Sequence, residues 1–388
     1  MNTTRAKTLQ VLTMIWVAAF GLGLVGLILR FATGERLVGY GSYVPWGLWV
    51  ALYFHGVGIA GGVFAIGVLG WLRGVPGLRE QLRVTLWVSA AALVTGLFAI
   101  WLDLGHPWRG YRMFTAPSFT SMMAFNSWMY GAFLATVAAA FALASRRTGG
   151  RMPGDAAGWL APMLMLGLVM AVAFPSQSGA FFGVVDAKPY WNTSLMPVLF
   201  LASAVASGAA VLLLVHTFLA GESARVGAEP LRLLRHVTIA AVVVYLALEF
   251  AEFSVAFWSP ASHGREAYQL VLAGPFWWVF WIVHLGGALV ALWLLARGRS
   301  LSAVGTGAFL VALTFVTTRL NILIPGQAVS ELRGLEGAFT HPRLSFHYQA
   351  TWNEYLVALF LGAFGVGLVY MGLVRYGRHG SGKEVEVR

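Results

Sequence analysis

Residues 46–72 read WGLWVALYFHGVGIAGGVFAIGVLGWL and contain no Asp, Glu, Lys or Arg. About 20 apolar residues cross a bilayer as a helix, and helices are preferred there because lipid cannot pair with a bare backbone. Nine other runs are similarly apolar, so the sequence predicts an all-α, polytopic integral membrane protein with about ten transmembrane helices. The predicted spans are 9–29, 46–72, 84–104, 124–145, 158–174, 196–219, 236–257, 275–296, 301–322 and 352–374.

The composition agrees with a membrane protein and excludes several kinds of site. Hydrophobic residues make up 59% of the 388 residues and charged residues 11%, whereas soluble domains have about 25% charged residues. The chain contains no cysteine, so it cannot hold a cysteine-ligated iron–sulfur cluster, a zinc finger or a disulfide. Arg5 and Lys7 precede an apolar run without a clear cleavage site, which we interpret as a retained first helix.

Lysine and arginine residues favour one set of gaps between the spans. Seventeen of the 26 lie at the termini and in the even-numbered gaps, and nine lie in the odd-numbered gaps. The positive-inside rule then predicts that both termini face the cytoplasm. This distribution also accounts for the net charge of +11 without nucleic-acid binding, since the charges form no single patch.

Chemically informative residues concentrate on the opposite, outward side. The gaps there are long and include residues 39–46, 103–109 and 324–351, whereas the cytoplasmic gaps look like plain connectors. Ionisable residues inside spans are costly and usually functional, and most of them here lie in the outer half of the predicted membrane. This placement fits an amphipathic ligand that enters from lipid. The notable polar and aromatic residues are Trp49, Tyr53, His55, Asp103, Glu249, Glu252, His284, Arg319, Asn321 and Glu354.

Glu249 and Glu252 are three residues apart and therefore share one face of the seventh helix. Two carboxylates on one buried face repel each other when both are charged, so one of them is expected to hold a proton. Two interpretations remain open: a proton route, or a structural pair bonded to Arg319 and His284. Asp103 has a structural alternative too, as the partner of Arg109.

Residues 56–61 match the pattern G-x-G-x-x-G. A dinucleotide site requires this pattern between a strand and a helix, whereas here it lies inside an apolar span. Gly58 and Gly62 instead form a small-xxx-small pattern, which is typical of close helix packing in membranes.

Three further motifs carry a resemblance to a known family. Residues 43–49 (YVPWGLW) resemble the second helix of NrfD/PsrC-type subunits, the membrane subunits of polysulfide reductase. Residues 103–109 (DLGHPWR) resemble that family's Asp-Leu-Gly-Arg-Pro-x-Arg motif, with His106 where Arg is frequent. Residues 125–128 (FNSW) resemble the start of the following helix. The C-terminal half, with residues 319–321 and 352–354, is similar to the ten-helix branch that includes HybB-type subunits.

The resemblance implies a subunit of a respiratory oxidoreductase complex rather than an enzyme alone. Such a subunit exchanges electrons between the quinone pool (menaquinone or ubiquinone) and a four-cluster ferredoxin-like iron–sulfur subunit. That partner serves a catalytic subunit, which is often molybdopterin-dependent. The implied location is the bacterial inner membrane, with the functional face towards the periplasm. We expect no haem, no iron–sulfur cluster and no metal in this chain.

We expect one transmembrane domain, 1–388, with a first bundle at 46–145, a second at 158–322, and peripheral helices at 9–29 and 352–374. The first bundle is expected to hold the quinone near the outer face, since a quinone needs an apolar slot with a few polar groups. His55 and Tyr130 are the leading donors to its oxygens. The predicted quinone-binding residues are Trp49, Tyr53, His55, Arg109, Asn126, Trp128 and Tyr130, and the predicted proton-transfer residues are Asp103, His106, Glu249 and Glu252.

Two other classes of protein remain as alternatives. A haem-b anchor needs paired histidines on facing helices, for which His55 and His284 are the candidates. A secondary transporter would show inverted repeats and broken helices, and the sequence shows no repeat. An absorbance spectrum of the purified protein distinguishes the haem alternative.

The charge distribution generates a topology prediction. Reporter fusions placed after Arg388 and within residues 326–340 are expected to report opposite sides of the membrane, because an even number of spans separates the two termini and one span separates these points. The same side for both fusions would contradict the ten-span topology.

Overall fold

The computed structural model describes residues 3–146, 154–220, 228–259, 264–332, 334–341 and 343–377. Within these ranges ten helices are long and apolar enough to cross a membrane, and no strand occurs. The all-α, ten-helix prediction is therefore confirmed. Some of the basic residues counted for topology, such as Arg147, Arg225 and Lys383, lie outside the described ranges. The ten helices are α1 Thr3–Thr33, α2 Leu48–Leu72, α3 Leu82–Asp103, α4 Met122–Ser145, α5 Gly154–Gly183, α6 Met196–Leu219, α7 Glu229–Trp258, α8 Val279–Arg297, α9 Leu301–Ala328 and α10 Trp352–Tyr376.

The ends of several helices differ from the predicted spans, and three helices also carry an irregular feature. Helix α5 continues nine residues beyond the predicted end at 174, through Pro175, because neighbouring groups in a membrane bundle can satisfy the carbonyl that a proline leaves free. Helix α9 extends to Ala328 and is interrupted at Phe315, which separates its two α-helical halves. Helix α8 begins with a π-helical segment, Val279–Gly286, and such wider turns are frequent at functional sites.

Helix α2 lies at the centre of the bundle and packs against α3, α5, α6 and the second half of α9. In an apolar stretch of 18 residues, 72% of the α2 residues are buried, whereas the corresponding share in α1 is 11%. A Cβ atom built on Gly62 would lie 2.0 Å from the carbonyl oxygen of Ala204, and one on Gly208 would lie 2.4 Å from the backbone of Gly62. These glycines let α2 and α6 approach closely, which confirms the packing interpretation of the glycine motif.

We call the end at which the chain leaves the odd-numbered helices the outer end. Its loops are tied together by Glu354, which is fully buried. The Glu354 carboxylate accepts hydrogen bonds from Gly39 N at 2.7 Å and from the Tyr348 hydroxyl at 2.7 Å, and it forms a capping box with Thr351 at the start of α10. Burial and the Glu354 charge raise the pKa of Tyr348 far above its usual range, so Tyr348 remains a donor.

The approach of α2 to α6 generates a stability prediction. Gly62→Ala is expected to lower the free energy of unfolding by about 1–3 kcal/mol, since the new methyl group overlaps the α6 backbone. Gly21→Ala is the matched control, because a Cβ atom there meets nothing within 4 Å. Thermal denaturation of the two variants in detergent provides the measurement, and equal stabilities would contradict the close packing.

Candidate functional site

The outer end of α3 is held by a buried arginine from α1. Arg30 is 3% exposed and donates hydrogen bonds to the carbonyl oxygens of Leu102 and Leu104, both at 2.9 Å. Its guanidinium also lies 5.9 Å from the ring centroid of Trp49. A cation at a helix C-terminus pairs with carbonyls that have no partner inside the helix. This contact fixes the position of Asp103, the last residue of α3.

Three buried acceptors near the outer helix ends lack hydrogen-bond partners, namely the Oδ1 atoms of Asp103, Asn126 and Asn353. Asn353 lies at the start of α10, and the other two lie on neighbouring helices. Asp103 ends α3, Asn126 lies in the second turn of α4, and these two helices pack against each other. A buried acceptor without a partner costs about 1–3 kcal/mol, so most such groups in proteins are paired. The Oδ1 atoms of Asp103 and Asn126 are therefore available to accept hydrogen bonds from a ligand.

A chain of buried hydroxyl groups lies deeper in the bundle. The Tyr53 hydroxyl donates to the Tyr130 hydroxyl at 2.9 Å, Tyr130 bonds Ser178 at 2.9 Å, and Ser178 donates to the Phe174 carbonyl at 2.8 Å. Tyr130 is one turn below Asn126 on α4, so the two share a face. The chain ends at the backbone, and it holds both tyrosine rings in place.

Helix α2 presents Trp49 one turn above Tyr53. The indole Nε1 of Trp49 donates to the Glu354 carbonyl at 3.0 Å, and its ring meets Tyr40 edge-on. The structure thus brings Tyr53 on α2 together with Tyr130 on α4. It places Trp49 beside Arg30, which bonds the end of α3 on either side of Asp103.

Four other predicted residues lie elsewhere. His55 faces α9, where its Nε2 bonds the Ala312 carbonyl at 2.8 Å. His106 and Arg109 are exposed in the segment that follows α3, and the Asp103–Arg109 pair is not formed. Trp128 donates from Nε1 to the Met113 carbonyl at 3.0 Å.

Glu249 belongs to a second buried cluster, on the other side of α2. Its Oε1 accepts a hydrogen bond from Tyr245 at 3.0 Å, and its Oε2 lies 2.9 Å from Nε2 of His284. The Nδ1 atom of His284 lies 3.1 Å from Oγ1 of Thr317. His284 is fully buried and belongs to the π-helical start of α8, which brings its ring between α7 and α9.

Glu252 has different partners from Glu249. Its carboxylate accepts hydrogen bonds from Tyr268 at 2.9 Å and from Thr193 at 3.3 Å. Burial is the main cause that raises the pKa of Tyr268 far above its usual range, with contributions from Tyr190 and Glu252. The two glutamates therefore share a helix face and bond separate groups.

Arg319 is not bonded to either glutamate. It is 2% exposed, donates to Ser203 Oγ at 2.6 Å and to the Phe200 carbonyl at 3.2 Å, and lies 3.8 Å from the centroid of the Phe200 ring. Of the two partners expected for the glutamates in the structural interpretation, His284 bonds Glu249 and Arg319 bonds neither glutamate.

Four participants were not predicted from the sequence, namely Arg30, Ser178, Tyr245 and Thr317. A helical signal was available for Tyr245, which is four residues from Glu249 and so next to it on the helix. Arg30 lies at the end of the first apolar run, where a basic residue is expected at the membrane boundary. Ser178 and Thr317 are ordinary helix residues until their neighbours are known.

Within the described residues no group of three or more His, Cys, Asp or Glu side chains is placed to hold a metal ion. His55 Nε2 bonds Ala312, and both ring nitrogens of His284 have polar neighbours. These two histidines thus have different polar neighbours.

The helices and their buried polar groups define a polytopic helical membrane protein with ionisable clusters in its outer half. Comparison with known proteins places it more narrowly: residues 37–331 match the family described as polysulphide reductase, NrfD. The chain belongs to the NrfD family, as the motifs at 43–49, 103–109 and 125–128 predicted.

Three relatives within this family cover most of the chain. The chain is 26% identical to a selenate reductase subunit of Mesobacillus selenatarsenatis, over 86% of each chain. It is 24% identical to the Hdr-like menaquinol oxidoreductase integral membrane subunit of Archaeoglobus fulgidus, over 82% of this chain and 80% of the relative. It is 28% identical to protein NrfD of Escherichia coli, over 73% of this chain and 95% of the relative. The family supplies membrane subunits of oxidoreductase complexes that act on menaquinone or quinol.

The buried Glu249–His284 pair generates a prediction. Glu249→Leu is expected to lower the free energy of unfolding by about 3–5 kcal/mol, because it leaves His284 and Tyr245 without their acceptor in a dry environment. Glu249→Gln keeps an acceptor oxygen and is expected to cost much less.

The control is Glu331→Leu, since Glu331 is half-exposed and pairs with Lys188 near the surface. Chemical denaturation in detergent gives the three values. If Glu249→Leu unfolds at the same midpoint as Glu331→Leu, the pair makes no contribution to stability.

Proposed function

We propose that this chain exchanges electrons between the membrane quinone pool and a partner iron–sulfur subunit, with the quinol bound at the outer ends of α3 and α4. The observation that carries the proposal is the pair of buried, unpartnered acceptors, Oδ1 of Asp103 and Oδ1 of Asn126. A quinol carries two hydroxyl donors, and a hydroxyl requires an acceptor when it leaves water. The rings of Trp49, Tyr53 and Tyr130 supply apolar walls.

Asp103 is suited to the proton chemistry of this reaction. Oxidation of a quinol releases two electrons and two protons, so a base must lie beside the hydroxyl group. Asp103 lies at the outer end of the bundle, and the exposed His106 follows it by three residues. A proton accepted by Asp103 can therefore leave through His106 to water at this end. Quinone reduction would use the same groups in reverse.

The relatives support a quinol substrate. One of them is described as a menaquinol oxidoreductase integral membrane subunit, so menaquinol is the first substrate to test. The chain has no cysteine, so electrons leave through another protein. We assign that role to a four-cluster ferredoxin-like subunit that docks at the outer end and serves a catalytic subunit.

The proposed location is the inner membrane of a bacterium, with the outer end towards the periplasm and both termini in the cytoplasm. The charge distribution supports this orientation. Protons from quinol are then released on the periplasmic side.

Substitution of the proposed base tests this function. Asp103→Asn preserves the size of the side chain and removes the base, so quinol oxidation by the assembled complex is expected to fall by about 10²–10⁴-fold, the usual contribution of a general base. Quinol oxidation by complexes purified with their partner subunits provides the measurement.

Asp186→Asn is the matched control, because Asp186 is exposed in the outer segment that follows α5 and bonds the nearby Asn192. A near-normal rate in the Asp103→Asn complex would mean that Asp103 is structural.

A further inference from the structure

A cavity lies between the start of α8, the second half of α9 and residues 346–350. Its volume is about 620 Å³, within the range of about 300–1,000 Å³ that is usual for small-molecule sites. It lies on the far side of α2 from Tyr130 and Asn126, and Leu48 at the start of α2 forms part of its wall. Apolar side chains form most of its lining, including Phe276, Val279, Val283, Leu320 and Ile324.

One wall of this cavity carries an unpartnered donor. Asn321 and Thr317 both line the cavity and lie one turn apart on α9. Asn321 is 9% exposed, and its Nδ2 atom has no hydrogen-bond partner. A buried amide donor without a partner is costly, so this atom indicates a ligand that offers an acceptor oxygen.

Thr317 connects the same wall to the Glu249 cluster. Its hydroxyl lies 3.1 Å from His284 Nδ1, and His284 Nε2 lies 2.9 Å from the Glu249 carboxylate. Thr317, in the polar wall of the cavity, therefore contacts the buried Glu249–His284 pair.

The cavity is bordered by residues that face the surroundings. Trp278 is 43% exposed and Tyr355 is 55% exposed, and both lie at outer helix ends. Towards the outer loops the cavity continues into a wider opening that shares Leu270, Phe346 and His347 with it. A ligand from lipid can therefore place its head group inside while its tail stays in the membrane.

The chemistry of the lining distinguishes between membrane ligands. Among the residues that the structure describes, no lysine or arginine lines this cavity, so a phosphate head group would have no charged partner there. An acyl chain has no acceptor for Asn321. A quinone ring is flat and apolar, and it carries two oxygens that accept hydrogen bonds.

We infer that this cavity is a second quinone site, in which Asn321 Nδ2 donates to a ring oxygen beside the Thr317–His284–Glu249 chain. The inference rests on the proposed function in that the quinone pool is the source of the ligand. It does not depend on the site at Asp103.

The test is a titration of the purified full chain with 2-heptyl-4-hydroxyquinoline N-oxide, a quinol analogue whose own fluorescence reports its binding. The unsubstituted chain is expected to bind two equivalents. Asn321→Leu is expected to weaken one of them about tenfold, which corresponds to the loss of one hydrogen bond, and the nearly isosteric Thr317→Val weakens the same one. Asp103→Asn is expected to weaken binding of the other equivalent.

Thr318→Val is the matched control, because it removes a hydroxyl from the same helix at a position that does not line the cavity. A single equivalent that is lost in Asp103→Asn and kept in Asn321→Leu and Thr317→Val would overturn the inference and leave the proposed function intact. A single equivalent lost only in the α9 variants would support the inference and contradict the site at Asp103.

Discussion

Lipid offers no hydrogen bonds, so every buried polar atom in this bundle must find its partner inside the protein or in a ligand. The carboxylates of Glu354 and Glu249 meet this constraint with several donors each. The Oδ1 atoms of Asp103 and Asn126 and the Nδ2 atom of Asn321 do not. These three atoms occur on two sides of α2, and each adjoins aromatic or apolar walls that suit a flat ring. Other buried polar atoms without a partner, among them those of Asn353 and the Nε and Nη1 atoms of Arg319, belong to neither candidate site.

The central helix α2 lies between these two regions and contacts both. One face of α2 carries Tyr53, which bonds Tyr130 on α4, and another carries His55, which bonds Ala312 on α9. Gly62 brings α2 against α6 at a distance that no side chain would permit. A closely packed central helix therefore separates the Asp103 region from the Glu249 region, and a change in its packing would affect both.

Part of the candidate region could be predicted from the amino-acid sequence, and the rest depends on contacts between helices. Helical periodicity placed Glu249 and Glu252 on one face, and the structure agrees, yet it brings His284 to the first and Tyr268 to the second. His55 illustrates the limit: its face of α2 follows from its position, whereas its neighbour on α9 follows from the order in which helices pack. A period of 3.6 residues specifies a direction and carries no information about what lies there.

The amino-acid sequence by itself determined the ten membrane helices, because apolar length and backbone pairing are local properties. It also determined the family, through motifs at 43–49, 103–109 and 125–128. Only the tertiary structure decided that α5 continues through Pro175, that Arg30 holds the end of α3, and which polar atoms keep a partner. Those outcomes depend on contacts between helices that are distant in sequence. Several helices place acceptors near each donor, and the packing of the helices decides which acceptor it bonds.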